Sequence, residues 1–318
     1  MLTKRAGGVR GREALALAVV AAAACAAWAP AESAGESQAS SLIDVAKDPA
    51  SVRDYWTPER MRDAIPLRPA STSAQASKRG GGRARRVRHV KRSPERRHGK
   101  VFLTLGAADY VCSGTSVRSP SDRFVWTAGH CVGDPNLAGT GCSYVSNWTF
   151  VPAYRNGHAP FGEWPATAVG GAPGWCKQGG LCSLGALDCD FRFDLGAARV
   201  ATNGRGRTLA QVVGTRGIAF NLSRSRTYRG FGYPAAGRFN GERMYRCRSG
   251  HAGDDHTFGS PATLKFNCNM TSGSSGGSWV VSGGRVASVV SYGVVGDNRH
   301  LYGPYQGSAA KRFYHAVN

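Results

Sequence analysis

The chain has 318 residues, with 41 Lys and Arg against 20 Asp and Glu and a formal charge of +21. Its 43 glycines, about twice the usual share of roughly 7%, follow no strict triplet period, which excludes collagen, and 19% charged residues is too few for a coiled coil. The length supports one or two domains with a buried core. The positive charge admits nucleic-acid binding, membrane-surface binding or a local basic segment.

Lys4, Arg5, Arg10 and Arg12 precede an apolar run from Ala14 to Trp28, followed by Ala29-Pro30-Ala31. That order is the order of a secretory signal peptide, and the run is shorter than the roughly 20 residues of a membrane span. Residues 1–31 are therefore expected to be removed, Cys25 with them, leaving a secreted chain with no stable membrane insertion. Eight cysteines remain, an even number that in an oxidising compartment points to disulfides. No CxxC pair and no histidine at ligand spacing supports a metal site, and no metal or cofactor is expected.

Residues 32–98 are expected to be a propeptide. Its stretch 71–98 lacks apolar periodicity and predicts a core-less, solvated linker, with eleven basic residues and one acid, Glu95, between Lys78 and Lys100. Paired basic residues in such a stretch suit proteolytic processing. A nucleic-acid-binding role is not expected, because aromatic residues for base stacking are missing. Upstream, Tyr55–Pro66 predicts a short helical element with Pro58 in its first turn.

From Gly99 to Asn318 the texture is that of short strands. "GKVFLTLG", "YVCSGTSV", "RFVWTAGHCV", "NWTFVPAY" and "RTYRGFGYP" are β-branched and aromatic runs divided by Gly, Pro and Ser clusters. "SWVVSGGRVASVVSYG" predicts a hairpin about Gly283-Gly284, and "SAAKRFYHAV" (Ser308–Val317) a C-terminal helix. The fold class is all-β, a barrel or sandwich.

Three features carry chemistry. His130 ends an apolar strand in "VWTAGHC", with Ala128 and Gly129 leaving room beside the imidazole. Ser275 stands between glycines in "NMTSGSSGGSW", where a tight turn can expose a hydroxyl and aim two backbone N–H groups at one point. Asp194 begins "DLGAARV", and a buried carboxylate needs a partner that His130 can supply. Asp188 and Asp190 read as solvated loop acids. "HAGDDH" (His251–His256) reads as a solvated loop rather than a cation site.

His130, Asp194 and Ser275, in that order, resemble the triad of the chymotrypsin-like (trypsin-like) serine peptidases. The shared occurrence of "WTAGHC" and "GSSGGS" is specific for that family, and "FVPAY", "GFGYP" and "LYGPY" are similar to its secreted bacterial trypsin-like and glutamyl-endopeptidase-like members. The resemblance covers about Gly99–Asn318. It implies two packed antiparallel β-barrels, a secreted monomeric endopeptidase without cofactor, and protein or peptide substrates. It further implies an oxyanion hole from the N–H groups of Gly273 and Ser275, and a substrate-pairing segment Ser291-Tyr292-Gly293. Asn269 falls at the base of the specificity pocket, and the implied disulfides are Cys112–Cys131 and Cys247–Cys268. Cys142, Cys176, Cys182 and Cys189 allow three pairings.

The sequence also departs from the family. Ser274 stands where the trypsin branch carries the Asp that pairs with a new N-terminal amine, so activation by that ion pair is not expected. Neither Asn269 nor Val290, just before the substrate-pairing segment, supports a charged substrate preference. Two other functions fit parts of the chain: a catalytically inactive cationic binding module on the same fold, and an esterase or lipase using Gly273–Gly277 as a G-x-S-x-G elbow.

Overall fold

The short β-branched runs after residue 97 fold into twelve principal strands in two sheets. The computed structural model describes residues 41–45, 47–67, 82–135, 141–177, 189–294 and 297–318, so the signal-peptide expectation lies outside the described residues. The first sheet holds β1 (His98–Leu105), β2 (Ala108–Val117), β3 (Phe124–Thr127), β4 (Ser146–Pro152), β5 (Trp164–Gly171) and β6 (Gly196–Val200). They pair antiparallel in the order β5-β6-β3-β2-β1-β4, and β4 pairs back to β5 to close a barrel with no free edge among them. The second sheet holds β7 (Thr227–Gly232), β8 (Tyr245–Asp255), β9 (Thr263–Asn267), β10 (Ser278–Val280), β11 (Arg285–Val289) and β12 (His300–Gly303). Their order is β11-β10-β7-β8-β9-β12. The predicted hairpin is β10–β11, turning at Ser282–Gly284. "HAGDDH" is not a loop: His251–Asp255 continue β8, where Asp254 takes bonds from both His251 and Arg224.

The predicted C-terminal helix, Ser308–Val317, buries Ala310, Phe313, Tyr314 and Val317, the i, i+3, i+4, i+7 stripe of an amphipathic helix. That stripe packs on the first barrel, with Phe313 5.4 Å and Tyr314 6.1 Å from Trp126. The Trp126 indole N–H donates to Gln306 just before the helix (3.0 Å).

Residues 41–67 and 82–97 are built into the fold. Helix α1 (Pro49–Tyr55) is N-capped by Asp48, and α2 (Pro58–Asp63), capped by Thr57, carries Pro58 in its first turn. Val52, Trp56, Met61 and Leu67 are buried in the same apolar cluster as the strands of the first barrel. Trp56 stacks 5.3 Å from Phe102 and donates to the Asn147 carbonyl at 2.6 Å. Ile43–Asp44 pair with β5 and Ile65–Pro66 with β2.

Arg85–Arg86 pair with Tyr245–Arg246 of β8, and Val87 and Val90 are buried. The expectation of a core-less linker therefore fails for residues 82–97. Strand pairing uses backbone groups whatever the side chains, and two valines are enough to anchor it.

Across the inter-barrel seam, His98 of β1 is 2% exposed and stacks on Phe231 of β7 at 4.1 Å. Its Nδ1 lies 3.0 Å from the Thr115 hydroxyl and 3.1 Å from the Ser278 hydroxyl. The Arg216 guanidinium reaches its Nε2 at 3.2 and 3.3 Å. Arg216 can only donate, so Nε2 accepts and Nδ1 carries the proton.

Candidate active site

Strand β3 delivers His130. The chain leaves β3 at Thr127 and tightens into a 3₁₀ turn, Gly129–Cys131. The turn is held by the Cys112–Cys131 disulfide to β2 and by the Trp148 indole N–H donating to the Cys131 carbonyl (2.9 Å). Position 129 must be glycine: a Cβ there would lie 2.7 Å from the Trp175 ring. Trp175 closes one side of His130, at 6.3 Å between ring centres.

Asp194 lies just after a 3₁₀ turn, Phe191–Phe193, two residues before β6 rather than at the start of the strand. It is fully buried, and both of its oxygens are used. Oδ1 accepts the His130 backbone N–H at 2.9 Å and Oδ2 the imidazole Nδ1 at 2.9 Å. The Ser291 hydroxyl also donates to Oδ2. With the carboxylate accepting at Nδ1, the imidazole proton sits on Nδ1. His130 Nε2 is then a buried lone pair with no hydrogen-bond partner.

Ser275 lies between Gly273 (φ +93°) and Gly276 (φ +78°). A Cβ on Gly276 would lie 2.0 Å from the Thr127 hydroxyl, so glycine is what lets this turn press against the first barrel beside His130. Among the described residues, neither the Gly273 nor the Ser275 N–H has a hydrogen-bond partner. Ser274 turns inward, its hydroxyl donating to the Thr271 carbonyl at 2.6 Å.

Ser113, which the sequence did not single out, ties this turn to the first barrel. Its N–H donates to the Ser275 carbonyl (2.7 Å) and its hydroxyl to the Gly273 carbonyl (2.9 Å). The same hydroxyl accepts the Tyr233 N–H at 2.9 Å. A serine inside a strand carries no sequence signal, and its place beside Cys112 was the only hint.

The Ser291-Tyr292-Gly293 segment runs beside β12: Tyr302 takes the Ser291 N–H and gives its own N–H to the Tyr292 carbonyl, both at 2.9 Å. Tyr292 is fixed by hydrogen bonds to Asp255 and Thr263 (both 2.6 Å) and by stacking on Phe191 at 4.7 Å. Burial and the Asp255 carboxylate push its hydroxyl pKa far upward. The Asn269 amide oxygen accepts the Ala84 N–H at 2.7 Å, so a residue of the basic run holds this side chain.

Three disulfides join Cys112 to Cys131, Cys142 to Cys176 and Cys247 to Cys268. Cys189 is also disulfide-bonded, and Cys182 and Asp188 lie outside the described residues. Asp190 is not a free loop acid but is ion-paired with Arg192. Cys112, His130 and Cys131 cluster closely enough to suggest a metal site, but both sulfurs are spent in the disulfide.

A closed barrel of six principal strands and a second antiparallel sheet define a chymotrypsin-like fold. No family model and no curated protein matches the chain. Solved structures do. The protease Anisep from Arthrobacter nicotinovorans is 39% identical, with a TM-score of 0.62 over 71% of this chain and 98% of its own. A thermostable serine protease, AL20, from an extremophilic microorganism is 36% identical, with a TM-score of 0.60 over 69% and 96%. A Glu endopeptidase, 19% identical with a TM-score of 0.56 over 74% and 96%, shares the fold. The chain belongs to the chymotrypsin-like serine peptidases.

Proposed function

We propose that the protein is a secreted serine endopeptidase acting through His130, Asp194 and Ser275. The observation that carries this reading is the buried His130: Nδ1 is committed to the Asp194 carboxylate, and among the described residues Nε2 is left without a partner. Ser275 Oγ attacks the scissile carbonyl as its proton passes to Nε2. The N–H groups of Gly273 and Ser275 receive the developing oxyanion. Collapse breaks the C–N bond, the amine leaves with the proton from Nε2, and an acyl-enzyme remains. Water, deprotonated by the same nitrogen, releases the acid. Asp194 orients the ring and stabilises the imidazolium.

The substrate backbone is read by Ser291-Tyr292-Gly293 as an added strand. No charged residue stands at Asn269, Met270 or Val290, and the Arg238 guanidinium reaches the Asn269 amide oxygen at 3.5 Å. Secretion is supported by the three disulfides. Arg85–Arg86 are paired to the second sheet, so a maturation cut that leaves them in place falls before Gly82, at the basic pair Lys78-Arg79. The esterase reading is disfavoured because strand β10, not a helix, follows the serine turn.

Labelling with a fluorophosphonate tests the proposal. The wild type is expected to react and Ser275→Ala not to. Unreactive mature protein would favour the inactive cationic module.

A further inference from the structure

The arginines of this chain fall into two populations. Arg60, Arg192 and Arg224 are ion-paired, to Asp109, Asp190 and Asp254. Arg83, Arg85, Arg229, Arg246 and Arg248 are all exposed, line one hollow of about 750 Å³, and form no ion pair among the described residues. A second hollow of about 830 Å³ shares Arg83, Arg85 and Arg246, and adds Arg86, Arg88 and Arg92, with Glu95 as its single acid.

Strand register puts like charges together. Arg85 is the direct partner of Arg246, and Arg229 of Arg248. Such opposed pairs destabilise a sheet. Here two of them occur side by side, and Arg246 and Arg248 lie on one face of β8 with buried Cys247 between them. The arrangement leaves a continuous trough of guanidinium forks, the group that binds tetrahedral oxyanions in pairs of hydrogen bonds.

We propose that this trough is a binding site for a linear anionic polysaccharide bearing sulfate or phosphate esters. Two successive hollows suit a thin chain that repeats its charge along its length. A nucleic-acid duplex presents its phosphates on a broad convex rod, and a single strand would need aromatic platforms for its bases. No Phe, Tyr or Trp lines either hollow.

The test uses the full-length protein and heparin, a sulfated polysaccharide, as the probe. Affinity is measured from 50 to 300 mM NaCl for the wild type and for the Arg85→Ala/Arg246→Ala/Arg248→Ala variant. A control, Arg205→Ala/Lys311→Ala/Arg312→Ala, removes the same charge from exposed positions elsewhere. The expected result is at least a tenfold loss for the trough variant, a shallower salt dependence, and a change under threefold for the control. A single substitution, Arg248→Gln, removes one fork without touching the Arg85–Arg86 pairing and is expected to lose about threefold. Equal losses in trough and control variants would overturn the site, as would an unaffected trough variant. Tighter binding of duplex DNA or polyglutamate than of heparin, at matched charge concentration, would overturn the assigned ligand.

Discussion

His130 and His98 are both buried imidazoles at the seam between the two sheets, 0% and 2% exposed, and they are built to opposite ends. His130 faces a carboxylate and keeps one nitrogen unspent. His98 faces a guanidinium and two hydroxyls, and both its nitrogens are used. Burial, Arg216 and Arg97 hold the His98 pKa well below 6.5, so it stays neutral. Burial likewise brings Arg216 down to about 10, which leaves it charged at neutral pH. A buried histidine serves chemistry when its partners leave a lone pair over, and serves structure when they consume it.

The sharpest way to break this contrast is to exchange the consequences of losing each ring. His130→Ala is expected to lower kcat by roughly 10⁶-fold while leaving the thermal midpoint within a few degrees of wild type. A variant that keeps substantial peptidase activity would remove His130 from the chemistry. Asp194→Asn keeps the packing but allows the wrong tautomer, and a fall of about 10⁴-fold in kcat is expected in steady-state assays.

His98→Leu should do the reverse. It strands Arg216 and two hydroxyls and is expected to cost about 2–4 kcal/mol of stability by denaturant titration, with kcat of the folded fraction near wild type. Ser113→Ala removes the hydroxyl bond to the Gly273 carbonyl. A loss of roughly tenfold in kcat with little change in KM would identify a positioning role; an equal rise in KM would not.

The smallest expected effect is a pH dependence. The unfolded chain takes up a proton at His98 near pH 6.5 and the folded chain does not. Folding stability is therefore lost as pH falls below about 6.5, and His98→Leu should flatten that part of the melting-temperature profile.

Much of this was legible in the sequence because it rests on local chemistry. The glycine-bounded Ser275, His130 at a strand end and the i, i+3, i+4, i+7 stripe of Ser308–Val317 all carry their signal within about a dozen residues. What was not legible depends on distant partners. Ser113 acts through backbone groups 160 residues away. The segment 41–67 hides Val52, Trp56, Met61 and Leu67 at irregular spacing, so no period announces that they join the apolar cluster of the first barrel's strands. The basic run conceals Val87 and Val90 among charges, and its pairing with β8 is made by groups every residue owns.

The helix at Ser308–Val317 also fixes when the protein can become whole. The first barrel has all six of its strands by Val200, yet Trp126 waits for Gln306, Phe313 and Tyr314 to close over it. A chain emerging from the ribosome can hydrogen-bond that barrel long before it can seal it. His130 stands four residues beyond Trp126, and the helix that covers Trp126 begins more than a hundred residues after Val200.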